Sequence, residues 1–308
     1  MTTPSLRIGT RGSPLALAQT HETRARLALA HGVPPEHFAI CVIRTTGDQI
    51  QDRALSEAGG KGLFTRELDL AMIAGEIDVA VHSSKDLPTK LPGEIAIAGF
   101  LPREDVRDAF IGRGGVKFEE LPAGAVIGTA SLRRAAQIRR LRPDLETALL
   151  RGNVETRLKK VESGECDGTL LALAGLKRLG LEKHATELLE IDAFLPAAGQ
   201  GAIGITCRAG DDASRVVLAA ILDADTGFAL AAERAFLDVL DGSCRTPIAA
   251  HARIEAGEIV FRGEALAADG SASYPATGRG LAKDAHEIGA RAAREILARL
   301  PQGVAGLT

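Results

Sequence analysis

The chain has 308 residues, a formal net charge of −3, 45% hydrophobic and 25% charged residues. These proportions suit a globular protein of two or three domains and exclude a fibre or a disordered tail. No apolar run approaches the roughly 18–20 residues of a membrane helix, and the first residues lack a signal-peptide pattern. The expectation is a cytoplasmic protein without a membrane partner. Its cysteines, at 41, 166, 207 and 244, are too scattered for a Cys-x-x-Cys site or a disulfide scaffold, so no metal is expected. Negative charge, the lack of Trp and a single Tyr disfavour nucleic acid.

The first two thirds alternate short β-branched runs with helical patterns, an α/β signature. A strand is expected over 6–10, then a helix to about Ala30 that opens on Ser13 and Pro14. Residues 39–45 read as a second strand, 47–62 as a polar loop, 64–74 as a helix and 77–81 as a strand. Around 102–108 the composition turns charged, as a crossover into a second domain would. Strands follow over 125–128, 147–150 and 168–173, with Ser131 and Asn153 available as helix caps. Residues 196–201 read as a second crossover, and 202–207 as a strand returning to the first domain. Beyond about Asp223 a helix over 227–240, two or three strands and a last helix over about 283–300 make a smaller α+β domain. The expected domains are 1–101 with 198–221, an inserted 102–197, and 222–308.

Polar residues gather where strands end. Arg11 and Ser13 follow the first strand, and Ser83, Ser84, Lys85 and Asp86 follow the strand over 77–81. Thr129, Ser131, Arg133 and Arg134 follow 125–128, and Arg151, Asn153 and Arg157 follow 147–150. Open α/β sheets bind ligands beyond the carboxyl ends of their strands, and free N–H groups at helix starts favour anions. Two such rims facing each other would form a cationic cleft for a polyanion. Guanidinium forks fit carboxylates and phosphates about equally, although no nucleotide-phosphate fingerprint is present. Arg outnumbers Lys 28 to 9, which suits this reading but also an Arg-rich composition. Arg133 and Arg134 sit at a helix start, against the dipole preference, which points to a ligand role. Ser13, Ser131 and Asn153 read equally well as plain caps, Lys85 and Asp86 as a surface pair, and Lys61 as a solvated loop residue. Cys244 lies in Asp241-Gly242-Ser243-Cys244-Arg245, where it is either a reactive thiol lowered by Arg245 or an ordinary loop cysteine.

At this point the chain resembles the porphobilinogen deaminase (hydroxymethylbilane synthase) family. The likeness is carried by IGTRGSPLALAQ (8–19), GGKGLFTRELD (59–69), VHSSKDLP (81–88), GTASLRRAAQ (128–137), LRGNVETRL (150–158), LALAGLKRLG (171–180), PAAGQGAIGI (196–205) and ERAFLDVLDGSCRTPIA (233–249). Ala130 stands where the family often has Ser, and Ser243 where Gly is frequent. The resemblance implies three domains: two resembling type II periplasmic binding proteins, and a smaller α+β domain. It implies a transferase that joins four porphobilinogen units head to tail, releases ammonia at each step and frees hydroxymethylbilane by hydrolysis. It also implies a dipyrromethane primer on Cys244, Asp86 as the catalytic group, and a monomer. The same resemblance assigns Lys85, Thr129, Ser131, Arg133, Arg134, Gly152 and Arg157 to the cofactor, and Arg11, Ser13, Arg151, Arg157, Arg178 and Gln200 to substrate. Lys61 and Phe64 would belong to a loop over the site. The rival readings are a solute-binding module of the same architecture, which leaves the Cys244 loop without a use, and a nucleic-acid-associated protein.

Overall fold

The computed structural model describes residues 4–45, 62, 64–240 and 247–300. Lys61 and the Cys244 loop lie outside the described residues. A first five-stranded sheet contains β1 (Arg7–Arg11), β2 (Ala39–Ile43), β3 (Val79–Ser83), β4 (Ile95–Phe100) and β10 (Ile203–Arg208), in the order β2-β1-β3-β10-β4. β1 runs parallel to β2 and β3, whereas β10 is antiparallel to both of its neighbours. A second sheet contains β5 (Asp108–Gly112), β6 (Val126–Gly128), β7 (Glu146–Ala148), β8 (Gly168–Ala172) and β9 (Glu187–Leu189), in the order β7-β6-β8-β5-β9. Here β5 is the antiparallel strand. The two lobes thus share one topology. In each, the odd strand is the one the chain forms directly after crossing from the other lobe.

Helices cover these sheets because parallel pairs need crossover connections that bury both faces. α1 (Pro14–His31) and α2 (Arg66–Ile73) belong to the first lobe; α3 (Leu132–Leu141), α4 (Val154–Glu162) and α5 (Leu173–Arg178) belong to the second. Ser13, Ser131 and Asn153 cap α1, α3 and α4 by accepting from the N–H groups of Ala16, Arg134 and Thr156. α6 (Asp212–Leu218) follows β10. The first core gathers Ile8, Leu27, Phe38, Val79, Ile203 and Leu218, and the second gathers Phe110, Phe118, Ile127, Ile138, Leu170 and Phe194.

The third unit is an antiparallel meander of β11 (Ile248–Glu255), β12 (Glu258–Leu266) and β13 (Ser273–Leu281). α7 (Ala224–Val239) and α8 (Ala285–Leu297) pack together and on this sheet around Leu230, Phe236, Phe261, Ile288 and Ile296. Among the described residues, no helix is long and apolar enough to cross a membrane.

Three strands were not expected. β4 is an Ile-Ala-Ile-Ala-Gly-Phe run with little β-branched bulk, and β9 has only three residues. β5 begins on Asp108, inside the charged stretch read as pure crossover. The third strand runs 79–83 rather than 77–81; just ahead of it, Asp78 donates its N–H to the Arg7 carbonyl and its carboxylate accepts from the backbone N–H and guanidinium of Arg7.

Candidate active site

Parallel pairing of β1 with β3 sets Ile8 opposite Val79, which carries Arg11 to the level of His82 at the same sheet end. Immediately after β3, Ser84–Asp86 forms one 3₁₀ turn. The Ser84 N–H donates to the Ala202 carbonyl at 2.9 Å, so the returning crossover fixes the turn. Gly199 has a φ of +77°, and a Cβ there would stand 2.9 Å from the Lys85 nitrogen. Only glycine admits this close approach without strain.

Asp86 Oδ2 lies 3.8 Å from Arg11 Nη1, and the Arg11 guanidinium carbon is 4.1 Å from the centre of the Phe64 ring. Arg11, Ser13, Gln19, Phe64, His82 and Asp86 help to line a cavity of about 60 Å³. Gln19 and Ser83 exchange hydrogen bonds of 2.9 and 3.1 Å. Burial, aided by Arg11, pushes the His82 pKa down to about 4, and its Nε2 lies 3.0 Å from Thr206 Oγ1. His82 is therefore a neutral wall at pH 7, not a cation of the cleft.

The second lobe supplies the facing rim. Arg157 Nε donates to the Gly152 carbonyl at 2.8 Å. Gly152 has a φ of +120°, and a Cβ there would be 2.7 Å from Thr156 Cγ2, so glycine is required by both backbone and space. Burial, then the fields of Arg134 and Arg151, lower the Arg157 pKa to about 10, with Asp86 opposing. Lys85 is open to the cleft yet hemmed in by protein. That enclosure lowers its pKa to about 8, helped by Arg134 and Arg133 and opposed by Asp86 and Asp108. Arg151 Nη1 is buried without a hydrogen-bond partner among the described residues. The arrangement is rich in donors and poor in acceptors. It can bind several carboxylates at once.

Lys85 consequently becomes half neutral near pH 8, where an ordinary lysine stays charged to about pH 10.4. At pH 8 an amine acylating reagent should label Lys85 faster than the surface residue Lys117. Peptide mapping by mass spectrometry measures this; equal rates would mean that the cleft does not perturb Lys85.

Four of the residues assigned to ligands have protein partners that the sequence reading missed. Asp108, fully buried at the start of β5, receives Arg133 Nη2 on Oδ2 and Arg134 Nη2 on Oδ1, both at 2.6 Å. Arg133 Nη1 donates to Leu195 O and Arg134 Nη1 to Leu170 O. Burial opposes ionisation of Asp108, but the two guanidinium groups outweigh it and hold its carboxyl well below the usual range. The helix-start cost that suggested a ligand is thus met internally. Gln200 is buried, with its amide donating to Val106 O and Asp108. Arg178 donates to Glu22 Oε2 at 3.0 Å and to Gly201 O, joining α5 of the second lobe to α1 of the first. An aspartate heading the apolar run Ala109-Phe110-Ile111 is the signal that could have found Asp108.

The remaining calls fall on the rims. Thr129 Oγ1 accepts from the Ser131 N–H at 3.1 Å. Thus Arg11, Ser13 and Asp86 line one cavity, the charges of Lys85, Arg151 and Arg157 act on or are acted on by the same groups, and Arg133, Arg134, Arg178 and Gln200 are engaged by protein partners.

Residues 6–216 match the family model described as "Porphobilinogen deaminase, dipyromethane cofactor binding domain", and 228–298 match "Porphobilinogen deaminase, C-terminal domain". Two curated relatives named porphobilinogen deaminase, from Nitrobacter hamburgensis and Nitrobacter winogradskyi, are each 58% identical over 292 residues, covering 95% of this chain and 92% of theirs. Among solved structures, the periplasmic VFT2 domain of Bordetella pertussis BvgS is similar with a TM-score of 0.41 and 16% identity, over 71% of this chain and 87% of that one.

Proposed function

The chain belongs to the porphobilinogen deaminase family, and on that premise we propose that Asp86 is the group around which its porphobilinogen units are joined. The enzyme is a transferase of tetrapyrrole biosynthesis. Each condensation forms one carbon–carbon bond and releases one ammonia; after four, water cleaves the product as hydroxymethylbilane. The observation that carries the role of Asp86 is its position. This carboxylate faces Arg11 of its own lobe, and its field reaches Arg157 of the other and Lys85 beside it.

A carboxylate so placed can accept a pyrrole N–H, offset the positive charge left on the substrate when ammonia departs, and carry the proton lost as the new bond forms. Arg11, Arg151 and Arg157, with Ser13, hold the acetate and propionate groups of the substrate. Lys85, Thr129, Ser131, Gly152 and Arg157 hold the dipyrromethane. Arg133 and Arg134 support this set through Asp108, and Gln200 does so through the crossover. Arg178 reaches substrate only when Glu22 releases it. Phe64 flanks Arg11 at the mouth.

The dipyrromethane, when bound through a thioether to Cys244, supplies the primer to which the units are added. The donor set fits it: a buried Arg151 nitrogen awaits an acceptor, and the rims carry cations in excess. α7 ends at Val239, Asp238 lies 3.6 Å from Lys90, and three residues stand between Leu240 and Cys244 in the sequence. We further assign residues 1–101 and 198–221 to domain 1, 102–197 to domain 2 and 222–308 to domain 3, and propose a cytoplasmic monomer.

Intact mass tests the reading. The purified protein should weigh more than its bare chain by two linked pyrrole units, and should gain further units on addition of porphobilinogen. A bare, unreactive mass would favour a solute-binding module. Cys244→Ser should yield protein without covalent pyrrole, and pyrrole still attached would place the anchor on another residue.

A further inference from the structure

α7 of the third unit holds the Asp86 turn from both sides. Glu233, fully buried, receives Arg103 Nη1 at 2.6 Å and the N–H groups of Gly199 and Ala252, both at 2.7 Å. Gly199 in turn packs against the Lys85 backbone, within the Asp86 turn. The next residue, Arg234, points to the other flank. Its Nη2 donates to the carbonyls of Pro88 at 2.8 Å and Thr89 at 2.9 Å.

Arg234 is unusual for a largely enclosed cation. Among the described residues it makes no ion pair, and its partners are two successive backbone carbonyls. They belong to the segment between the Asp86 turn and β4, which has no helix or strand of its own. Pro88 lacks an N–H, so this segment has little means of fixing itself. One turn along α7, Asp238 pairs with the exposed Lys90, a contact worth little by itself. Leu87 is buried at the start of the segment, and Arg234 holds the two residues that follow it.

We propose that Arg234 is a positioning residue for Asp86: by gripping the carbonyls of residues 88 and 89, it makes the placement of the carboxylate depend on how the third unit docks on the first lobe. The inference rests on the reading of Asp86 given above. A misplacement of about 1 Å can lower turnover by about 100-fold while leaving binding groups in place. Arg234 touches neither Asp86 nor any residue assigned to substrate carboxylates, so its effect should appear in kcat.

The test uses holoenzyme, with the bound pyrrole verified by intact mass. Arg234→Ala is expected to lower kcat by about 10- to 100-fold with KM changed less than about threefold. Millimolar guanidinium should restore part of the loss, and Arg234→Lys, which keeps one donor, should fall in between. If Arg234→Ala fails to fold, Arg234→Lys carries the test, with a reduced kcat at unchanged KM and melting temperature. Wild-type kcat in the folded variants, or a loss that guanidinium does not relieve, would overturn the proposal. Asp86→Asn in the same assay separates the two ideas. If it turns over normally, the reading of Asp86 has failed; if it is inactive while the Arg234 variants are normal, only the grip has failed.

Discussion

Replacing Asp86 by Asn should lower turnover of porphobilinogen by about 100- to 10,000-fold, the usual span for loss of a positioned proton-transfer group. The amide has the shape of the carboxylate, and the Asp86 side chain is 34% exposed, so the fold loses almost nothing. What disappears is the negative charge between Arg11 and Arg157. An amide can still accept a hydrogen bond, but it cannot take up the proton or balance a cation on the substrate. Steady-state assays on protein with a normal melting temperature measure the effect. Turnover within a few-fold of wild type would remove Asp86 from the mechanism.

Asp108→Ala should act on stability instead. It would leave Arg133 and Arg134 buried without their shared counter-ion, and breaking a buried pair in this way costs about 3–5 kcal/mol. That is a large share of the roughly 5–15 kcal/mol that holds a domain folded. Because the folded carboxyl is held well below its ordinary value of about 3.9, its contribution is fully present above that pH and is lost as pH falls toward the folded value. Urea unfolding should therefore show a constant deficit between about pH 5 and 8, shrinking below about pH 4 as the wild type loses the same interaction. A deficit under about 1 kcal/mol at pH 7 would mean that the cluster relaxes or that water solvates the arginines.

The α/β pattern, the caps at Ser13, Ser131 and Asn153, and the polar ends of β1, β3 and β6 were legible because each depends on a few adjacent residues. β5 was not, because its place in the second sheet depends on a strand 60 residues later, β8. The site shows the same division. That Arg11 and Asp86 follow strands could be read locally, whereas the role expected of Asp86 came from the family resemblance. The links of Arg133 and Arg134 to Asp108, of Arg178 to Glu22 and of Arg234 to residues 88 and 89 join positions 25 to 156 residues apart, and no local pattern announces them.

The two antiparallel strands have a mechanical consequence. Both crossovers run straight into them, and one passes Gly199 and Ala202 beside the turn that carries Asp86 before Ile203 pairs with Ser83. The other enters its sheet at Asp108, under Arg133 and Arg134. Were one lobe to swing about these strands, atoms near the pivot would travel least and those at the outer lip would travel farthest. Asp86 sits at the fulcrum of that lever, so the mouth could widen for a longer ligand while the surroundings of this carboxylate stayed put.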